Sequence, residues 1–485
     1  MLKTLITKEV RANILSFRFL ASFVILFVVV SVTALVLAGD YTRKLDEYSQ
    51  RQAEIEKYLR TYAHFNRITN VLQATQPPIP FHALVRGLTA EVNMDEFDDD
   101  PLPVMFPLID LVFIVTILVS LIALIMSYDA VCGEKEDGTL KLMLANNLPR
   151  SKIVLAKLAG GVLTLAAPFL VSLATGMLII LLHPRVNWTG ADWGALGLIV
   201  AGAVLYIAVF ELIGILISSI HKTSASSIMT SLFVWVLLVL VVPNLSPYVA
   251  SFLAPAPSRI KVAREIQRLT DVDRDDLGRK LVTQYRGEVV KQFPVLAERL
   301  TENEVKARVA ADPEYRKAYE AMRAAVERAW ADANRTQGDK AKVLKDDMAL
   351  KEKAQTGLAR SISMASPLAD FSYLATDLSS TGTRNMAHFE RLRRAWESAF
   401  YGDNPINVPG VDYRSKKVAE LKAKDPTADV WNTAIDMTDA PRFRYVEEGL
   451  GGRVKAALPP FAVLLGYCVV LFAAAYVAFI RYDAR

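Results

Sequence analysis

The chain has 485 residues, 52% of them hydrophobic and only 22% charged, and its formal net charge is +5. Several apolar runs are long enough for a bilayer core of about 30 Å, which predicts an integral membrane protein; so small a charge, divided between two compartments, gives nucleic-acid binding little support. The two cysteines, Cys132 and Cys468, have no Cys-x-x-Cys or His-rich company, which argues against a disulfide framework or a zinc site.

Residues 1–18 alternate Leu2, Leu5, Ile6, Val10, Ile14 and Leu15 with Lys3, Lys8, Arg11 and Arg18. The spacing predicts a basic amphipathic helix on an anionic membrane surface, with an unstructured basic tail as the alternative. Residues 19–38 form the first candidate span. Basic residues precede it and Val36-Leu37-Ala38 imitates a cleavage site, but the apolar run exceeds a typical signal core of about 7–15 residues, so an uncleaved helix is expected.

Residues 39–107 form a polar loop. Leu45, Tyr48, Gln52, Ile55, Leu59 and Tyr62 recur at spacings of three and four, a stripe that continues the first helix outward and packs on another helix until Pro77-Pro78 ends it. The run Asp95-Glu96-Phe97-Asp98-Asp99-Asp100 lacks the turn glycine and closing glutamate of a calcium loop and reads as a solvated acidic stretch. A second span is predicted over 108–128, a third over 155–182 with Pro168 inside it, a fourth over 193–220, a fifth over 228–253 and a sixth over 458–480. Trp188 and Trp193 suit the aromatic belt. Lys3, Lys8, Arg11, Lys135, Lys141, Arg150, Lys152, Lys222, Arg481 and Arg485 share one side, so the positive-inside rule puts both termini in the cytoplasm.

By parity, residues 254–457 form an extracytoplasmic domain. It holds 36 Lys/Arg, 31 Asp/Glu and no cysteine, so helix packing must hold it together. Arg259–Gln292 and Glu314–Ile362 read as long antiparallel helices, followed by shorter ones at Pro367–Leu378, Met386–Tyr401 and Tyr413–Lys424, with 402–409 as loop. The fold class expected is all-α: six transmembrane helices, an amphipathic N-terminal helix and a large helical outer domain.

Residues 129–154 are the polar segment around which the rest is organised. Glu134, Lys135, Glu136 and Asp137 precede Gly138-Thr139, and Leu140, Leu142, Met143 and Leu144 follow before Pro149-Arg150. This reads as a short amphipathic element at the membrane surface, with Gly138 permitting a tight turn. Glu211 is the one carboxylate well inside a predicted span, and three readings stay open: a structural hydrogen bond to another helix, a gating or coupling role, or a position near enough to the inner face to snorkel. The five histidines are scattered over different loops, and no nucleophile elbow or metal-ligand cluster occurs, so no catalytic site is expected in this chain.

Tyr128-Asp129-Ala130, leading into Gly133-Glu134-Lys135-Glu136-Asp137-Gly138-Thr139-Leu140 and then Pro149-Arg150-Ser151-Lys152 and Lys157, resembles the signature of permease subunits of type-2 ATP-binding-cassette exporters. Pro80 to Gly87 and Trp235 through Pro243-Asn244-Leu245 are similar to the branch that includes the permease of nitrous-oxide-reductase maturation, and Ser366-Pro367 and Thr381-Gly382 to members with a long loop before the last span.

The resemblance implies a six-helix permease of the bacterial inner membrane, paired with a second copy or a paralogue and with two ATPase subunits that bind ATP and Mg. Glu134, Glu136, Gly138, Thr139, Leu140, Leu142, Leu144 and Arg150 would form the docking and coupling surface. No Gly-x-x-x-x-Gly-Lys-Ser/Thr phosphate loop occurs, in keeping with ATP being bound by a partner. Three functions are carried forward: ATP-driven export, transmission of ATP-driven motion to a periplasmic partner through the outer domain, and a membrane scaffold without an ATPase.

Overall fold

The computed structural model describes residues 2–61, 63–65, 74–87, 109–140, 143, 149–298, 300–401, 412–424 and 433–481. The acidic run 95–100, Lys141, Leu142, Leu144, the loop 402–409 and Arg485 lie outside the described residues. No strand occurs among the described residues, only one isolated antiparallel bridge between Ala63 and Ile435. The protein is all-α, and six of its helices are long and apolar enough to cross a bilayer.

In chain order, α1 is Leu2–Ile14 and α2 is Phe17–Thr61. A short 3₁₀ turn, Pro80–Ala83, precedes α3, which runs through Leu111–Phe113, a π turn at Ile114–Val119, and Ser120–Ser127. The small α4, Cys132–Glu136, lies in the polar segment. Then come α5, Arg150–Leu181; α6, Gly190–Ile220; and α7, which joins Ser224–Trp235, a second π turn at Val236–Val241, and Val242–Leu253. Beyond lie α8, Arg259–Arg268 continued through Leu269–Asp273 to Arg274–Gln292; α9, Glu302–Ala311; α10, Pro313–Ser363; α11, Pro367–Leu378; α12, Thr383–Tyr401; α13, Tyr413–Lys424; and α14, Leu450–Ile480.

The chain divides into two compact units. The first comprises Met1–Leu245, Ile362–Asp403 and Pro409–Arg485 and contains the membrane bundle. Its centre is α6, with 67% of its most apolar stretch buried within the chain, against 22% for α7 and 17% for α14, whose apolar faces are left for lipid or another chain. The end of the bundle carrying α1, α4 and the last turn of α14 is called basal here, the opposite end distal. Close approach between helices is set by small residues: a Cβ on Gly214 would overlap Ser127 of α3, and one on Gly202 would come within 2.8 Å of Leu374 of α11. The two π turns of the bundle each leave a carbonyl to be satisfied from elsewhere. Tyr206 Oη donates to Thr116 O at 2.9 Å, and Ser366 Oγ donates to Leu238 O.

The last contact reveals a feature the sequence reading placed otherwise. Pro367–Leu378, expected as a short helix of the outer domain, is almost entirely buried in the membrane bundle. Its start lies beside the middle of three spans: Ser366 bonds Leu238 of α7, Tyr467 Oη of α14 donates to Met364 O at 3.4 Å, and the Phe371 ring lies 5.5 Å from Tyr206 of α6. Its end reaches the distal surface, where Arg453 donates to Leu378 O. Thus α11 is a re-entrant helix, begun at mid-depth by an N-cap serine and a first-turn proline.

The stripe on α2 packs within the chain. Ile55 and Leu59 are buried with Trp396, Phe400 and Met437, and Arg442 grips Glu56 through two hydrogen bonds. The distal surface is closed by Asp110, which accepts from the backbone of Phe113 and Arg86, and by Gly87, whose positive φ of 81° and proximity to Thr381 O admit no side chain.

The second unit is Ser246–Ser361 with the short piece 404–408, which lies outside the described residues. There α8 and α10 run antiparallel, with Arg259 on Glu352, Gly278 under the Trp330 ring and Tyr285 Oη donating to Asp332 at 2.7 Å. Buried Ala325, Ala329 and Ala333 repeat at one-turn spacing along α10 and let the helices approach closely.

Candidate functional site

After Ser127 the chain leaves the bundle through residues 128–131 into α4, and almost every polar group of this segment is tied to the basal end of a different helix. Asp129 takes an ion pair from Arg18 at the start of α2 (2.8 Å), and the same guanidinium donates to Tyr128 Oη at 2.9 Å while lying 4.9 Å over its ring. The backbone N–H groups of Val131 and Cys132, unsatisfied because they open a helix, both donate to Ser218 Oγ of α6 at 2.9 Å. Lys135 reaches the C-terminus of α6 and donates to Ser219 O (2.6 Å) and His221 O (3.1 Å), a cation placed at the negative pole. Glu136 does the converse at the positive pole of α7, accepting from Ser224 N at 3.1 Å and from its hydroxyl. Arg150, which opens α5, donates to Ile480 O and Phe479 O in the last turn of α14.

Glu134 is the hub of an ion network. Lys8 of α1 and Lys157 of α5 each approach its carboxylate to 2.8 Å; Lys157 also lies 3.4 Å from Glu9, and Lys8 3.2 Å from Glu9. Two lysines therefore balance two glutamates. Lys157 is buried, with its side chain only 2% exposed, whereas that of Lys8 is 49% exposed. Burial pulls the Lys8 ammonium down, but the hydrogen bond it donates to Glu134 and the charges of Glu9 and Glu134 outweigh it and hold it above the usual lysine value. Gly160 makes room for α1, since a Cβ there would stand 2.6 Å from Glu9 Cβ.

The residues picked from the sequence thus separate into three groups. Glu134 and Arg150 are engaged with the chain's own helices, and Leu140 is fully buried with Val131, Ile153, Ile215 and Phe479. Glu136 is exposed yet braces α7, and with Asp137, Gly138 and Thr139 it forms a protruding knuckle; Gly138 has φ +72° and open space around it, the turn expected of it. Leu142 and Leu144 lie outside the described residues.

Glu211 of α6 is 2% exposed, and its Oε1 has no hydrogen-bond partner among the described residues. It packs on Gly161 of α5, where a Cβ would sit 2.4 Å from Oε2. The adjacent glycines therefore accommodate two glutamates, Gly160 the stem of Glu9 and Gly161 the carboxylate of Glu211. The sequence reading did not assign Glu9 or Lys157 to the network; Lys157, an ionisable residue inside an apolar run, was the available signal. Among the described residues no group of three or more His, Cys, Asp or Glu is placed to hold a metal ion.

The sequence profile described as "ABC-2 family transporter protein" matches residues 3–484. Two curated relatives, each described as "Probable ABC transporter permease protein NosY", from Pseudomonas aeruginosa and Stutzerimonas stutzeri, are 36% identical over 126 residues, 26% of this chain. The match spans about half of those relatives, 46% of their length.

Proposed function

The chain belongs to the ABC-2 family of transporter proteins, and from that premise we propose that it is a permease subunit that receives the stroke of a separate ATPase and converts it into export from the cytoplasmic membrane. The observation that carries this reading is that the segment bearing the exposed knuckle 136–139 is tied to the basal ends of five helices, through Asp129 to α2, Glu134 to α1 and α5, Lys135 to α6 and Glu136 to α7, while Arg150 joins α5 to the last turn of α14. A force on the knuckle reaches α6 and α7 through Lys135 and Glu136, which grip opposite helix poles, and α1 and α5 through Glu134. ATP and Mg belong to the partner in this scheme, and the present chain contributes no catalytic residue. Glu136, Gly138 and Thr139 meet the ATPase; Glu134, Leu140 and Arg150 transmit the load inside the chain; Leu142 and Leu144 extend the docking surface.

The basal end is then cytoplasmic, the second unit extracytoplasmic, and the membrane the inner membrane of a bacterium. The thinly covered apolar faces of α7 and α14 suit a second copy or a paralogue, with lipid around the rest. A second reading is favoured by one observation: Ser246–Ser361 forms a compact unit of its own built from long charged helices. There the output is motion delivered to a periplasmic partner without passage of a solute.

The test is Asp137→Lys with Thr139→Trp, both on the exposed knuckle. The expected result is at least tenfold weaker capture of a co-expressed ATP-binding-cassette subunit, about 1.4 kcal/mol, with unchanged thermal stability. Undiminished capture and undiminished ATPase stimulation would sink the docking assignment. ATPase stimulation without flux of any solute in proteoliposomes would select the second reading.

A further inference from the structure

The re-entrant helix α11 carries an acid that nothing in the fold described so far uses. Asp370 is in its first turn, close to the mid-depth start of the helix, with no exposed surface, and neither carboxylate oxygen has a hydrogen-bond partner among the described residues. A bare carboxylate in such surroundings is among the most unfavourable groups a membrane bundle can contain, and it survives by pairing with a cation or by taking up a proton.

The elements packed around it offer no cation. The facing parts of α3 and α7, 111–119 and 236–241, hold no titratable side chain. From α6 come Tyr206, which donates to Thr116 O, and Glu211, which is itself an acid more than one turn nearer the basal end. From α14 come Tyr467, whose hydroxyl donates to Met364 O, and Cys468 beside it, while Lys455 is exposed. Arg453 belongs to the distal turn and is taken by Asp192, Glu447 and Leu378 O; Arg384 of α12 is taken by Glu448. A cavity of about 270 Å³ does border α11, but it is lined by Leu368 and Thr376, on the other side of the helix from Asp370 and toward α3. The occupant that fits a sealed, cation-free position is the smallest one.

We propose that Asp370 is a proton-binding site embedded at membrane mid-depth, and that the bound proton is what allows the re-entrant helix to stay seated in the bundle. Deprotonation leaves a charge with no partner and drives α11 toward a wetter position, so seating of the helix is linked to proton occupancy. In secondary transporters, helices interrupted near mid-depth commonly hold the coupling-ion site. The inference does not require the permease reading, and its test does not require an ATPase.

Two measurements on the full-length chain in lipid nanodiscs decide it. The first is thermal stability of the wild type against Asp370→Asn, the isostere of the neutral acid. A folded state that keeps the proton loses stability relative to an unfolded chain that releases it as pH rises. The variant is therefore expected to melt higher than the wild type, with the gap widening from pH 5 to pH 8. A gap that is absent, or that narrows over that range, would overturn the proposal. The second is modification by dicyclohexylcarbodiimide, in which a protonated carboxyl adds across the carbodiimide and its proton passes to nitrogen. An adduct on the peptide holding Asp370 at pH 6, at least threefold weaker at pH 9 and missing in Asp370→Asn, is expected. A pH-independent adduct would overturn the proposal as well.

Discussion

The two ends of the membrane bundle are both closed by ion networks, built differently. At the distal end Arg453, 3% exposed, is fixed in several directions at once: Asp192 at 3.3 Å, Glu447 at 3.0 Å and the Glu448 carbonyl at 2.9 Å. Arg384 forks onto Glu448 with contacts of 3.0 and 2.6 Å. A planar guanidinium bound on several edges has one good geometry, so the network specifies a fixed arrangement of α6, α11 and α14. The basal network uses lysines, point charges on long arms, and one of them is half in solvent. Its exposed member can exchange partners at little expense, which suits the end proposed to receive the stroke.

The largest effect expected from this contrast is at the distal knot. Arg453→Ala leaves Asp192 and Glu447 facing a buried vacancy and should destabilise the chain by about 3–5 kcal/mol, seen as loss of monodisperse protein after detergent extraction. Adding Asp192→Asn should recover part of the loss, because one stranded charge is removed. If Arg453→Ala were tolerated as well as a surface change, the distal end would not be the rigid one.

The spans were legible in the residues because a bilayer demands runs of fixed length, and α3, α5, α6, α7 and α14 satisfy that demand locally. The re-entrant helix was not legible. Pro367–Leu378 is too short to span and carries Asp370 and Asp377, so by composition it reads as a soluble amphipathic piece; what seats it in the membrane is Leu238 O, Tyr467 and Tyr206, from three distant parts of the chain. The polar segment was legible as a unit, but the division of labour within it was not. Leu140 looks like a residue awaiting a partner until Phe479, near the far end of the chain, is seen to bury it. Glu134 looks like a docking carboxylate until Lys8 and Lys157 are seen to hold it.

The second effect, smaller, tests whether the basal network acts as a clasp. Lys157→Met removes its one buried cation and is expected to cost about 2–3 kcal/mol. In a double-mutant cycle with Glu134→Gln the two changes should couple by about 1–2 kcal/mol, measured by thermal unfolding in one lipid and detergent composition. Lys157→Arg should be worse tolerated than a surface exchange, since the forked head must fit where Glu9 and Glu134 now meet one nitrogen. Additive effects would mean that Glu134 and Lys157 are neighbours without being energetic partners.

The smallest effects come from pH, and they separate the two ends by sign. On the distal side burial, and then the Lys44 ammonium, push His82 down to about 4 from an ordinary value near 6.5. The unfolded chain then binds a proton that the folded one refuses, so this contribution is present above pH 6.5 and is lost as pH falls toward 4. For a ring with some solvent contact the loss should be about 1–2 kcal/mol by pH 4.5, and His82→Gln should flatten it. At the basal end Lys8 is held above its ordinary value, so its contribution is fully present below about pH 10.5 and disappears only in stronger alkali. Because Lys8 is half exposed, Lys8→Ala should change stability by only about 0.2–1 kcal/mol, and raising the salt should shrink that difference further. A melting profile that sags in acid through His82 while the Lys8 difference stays constant from pH 5 to 9 would separate the two ends electrostatically. If instead the Lys8 difference collapses toward acid, the basal network is a pH-sensitive joint rather than a constant clasp.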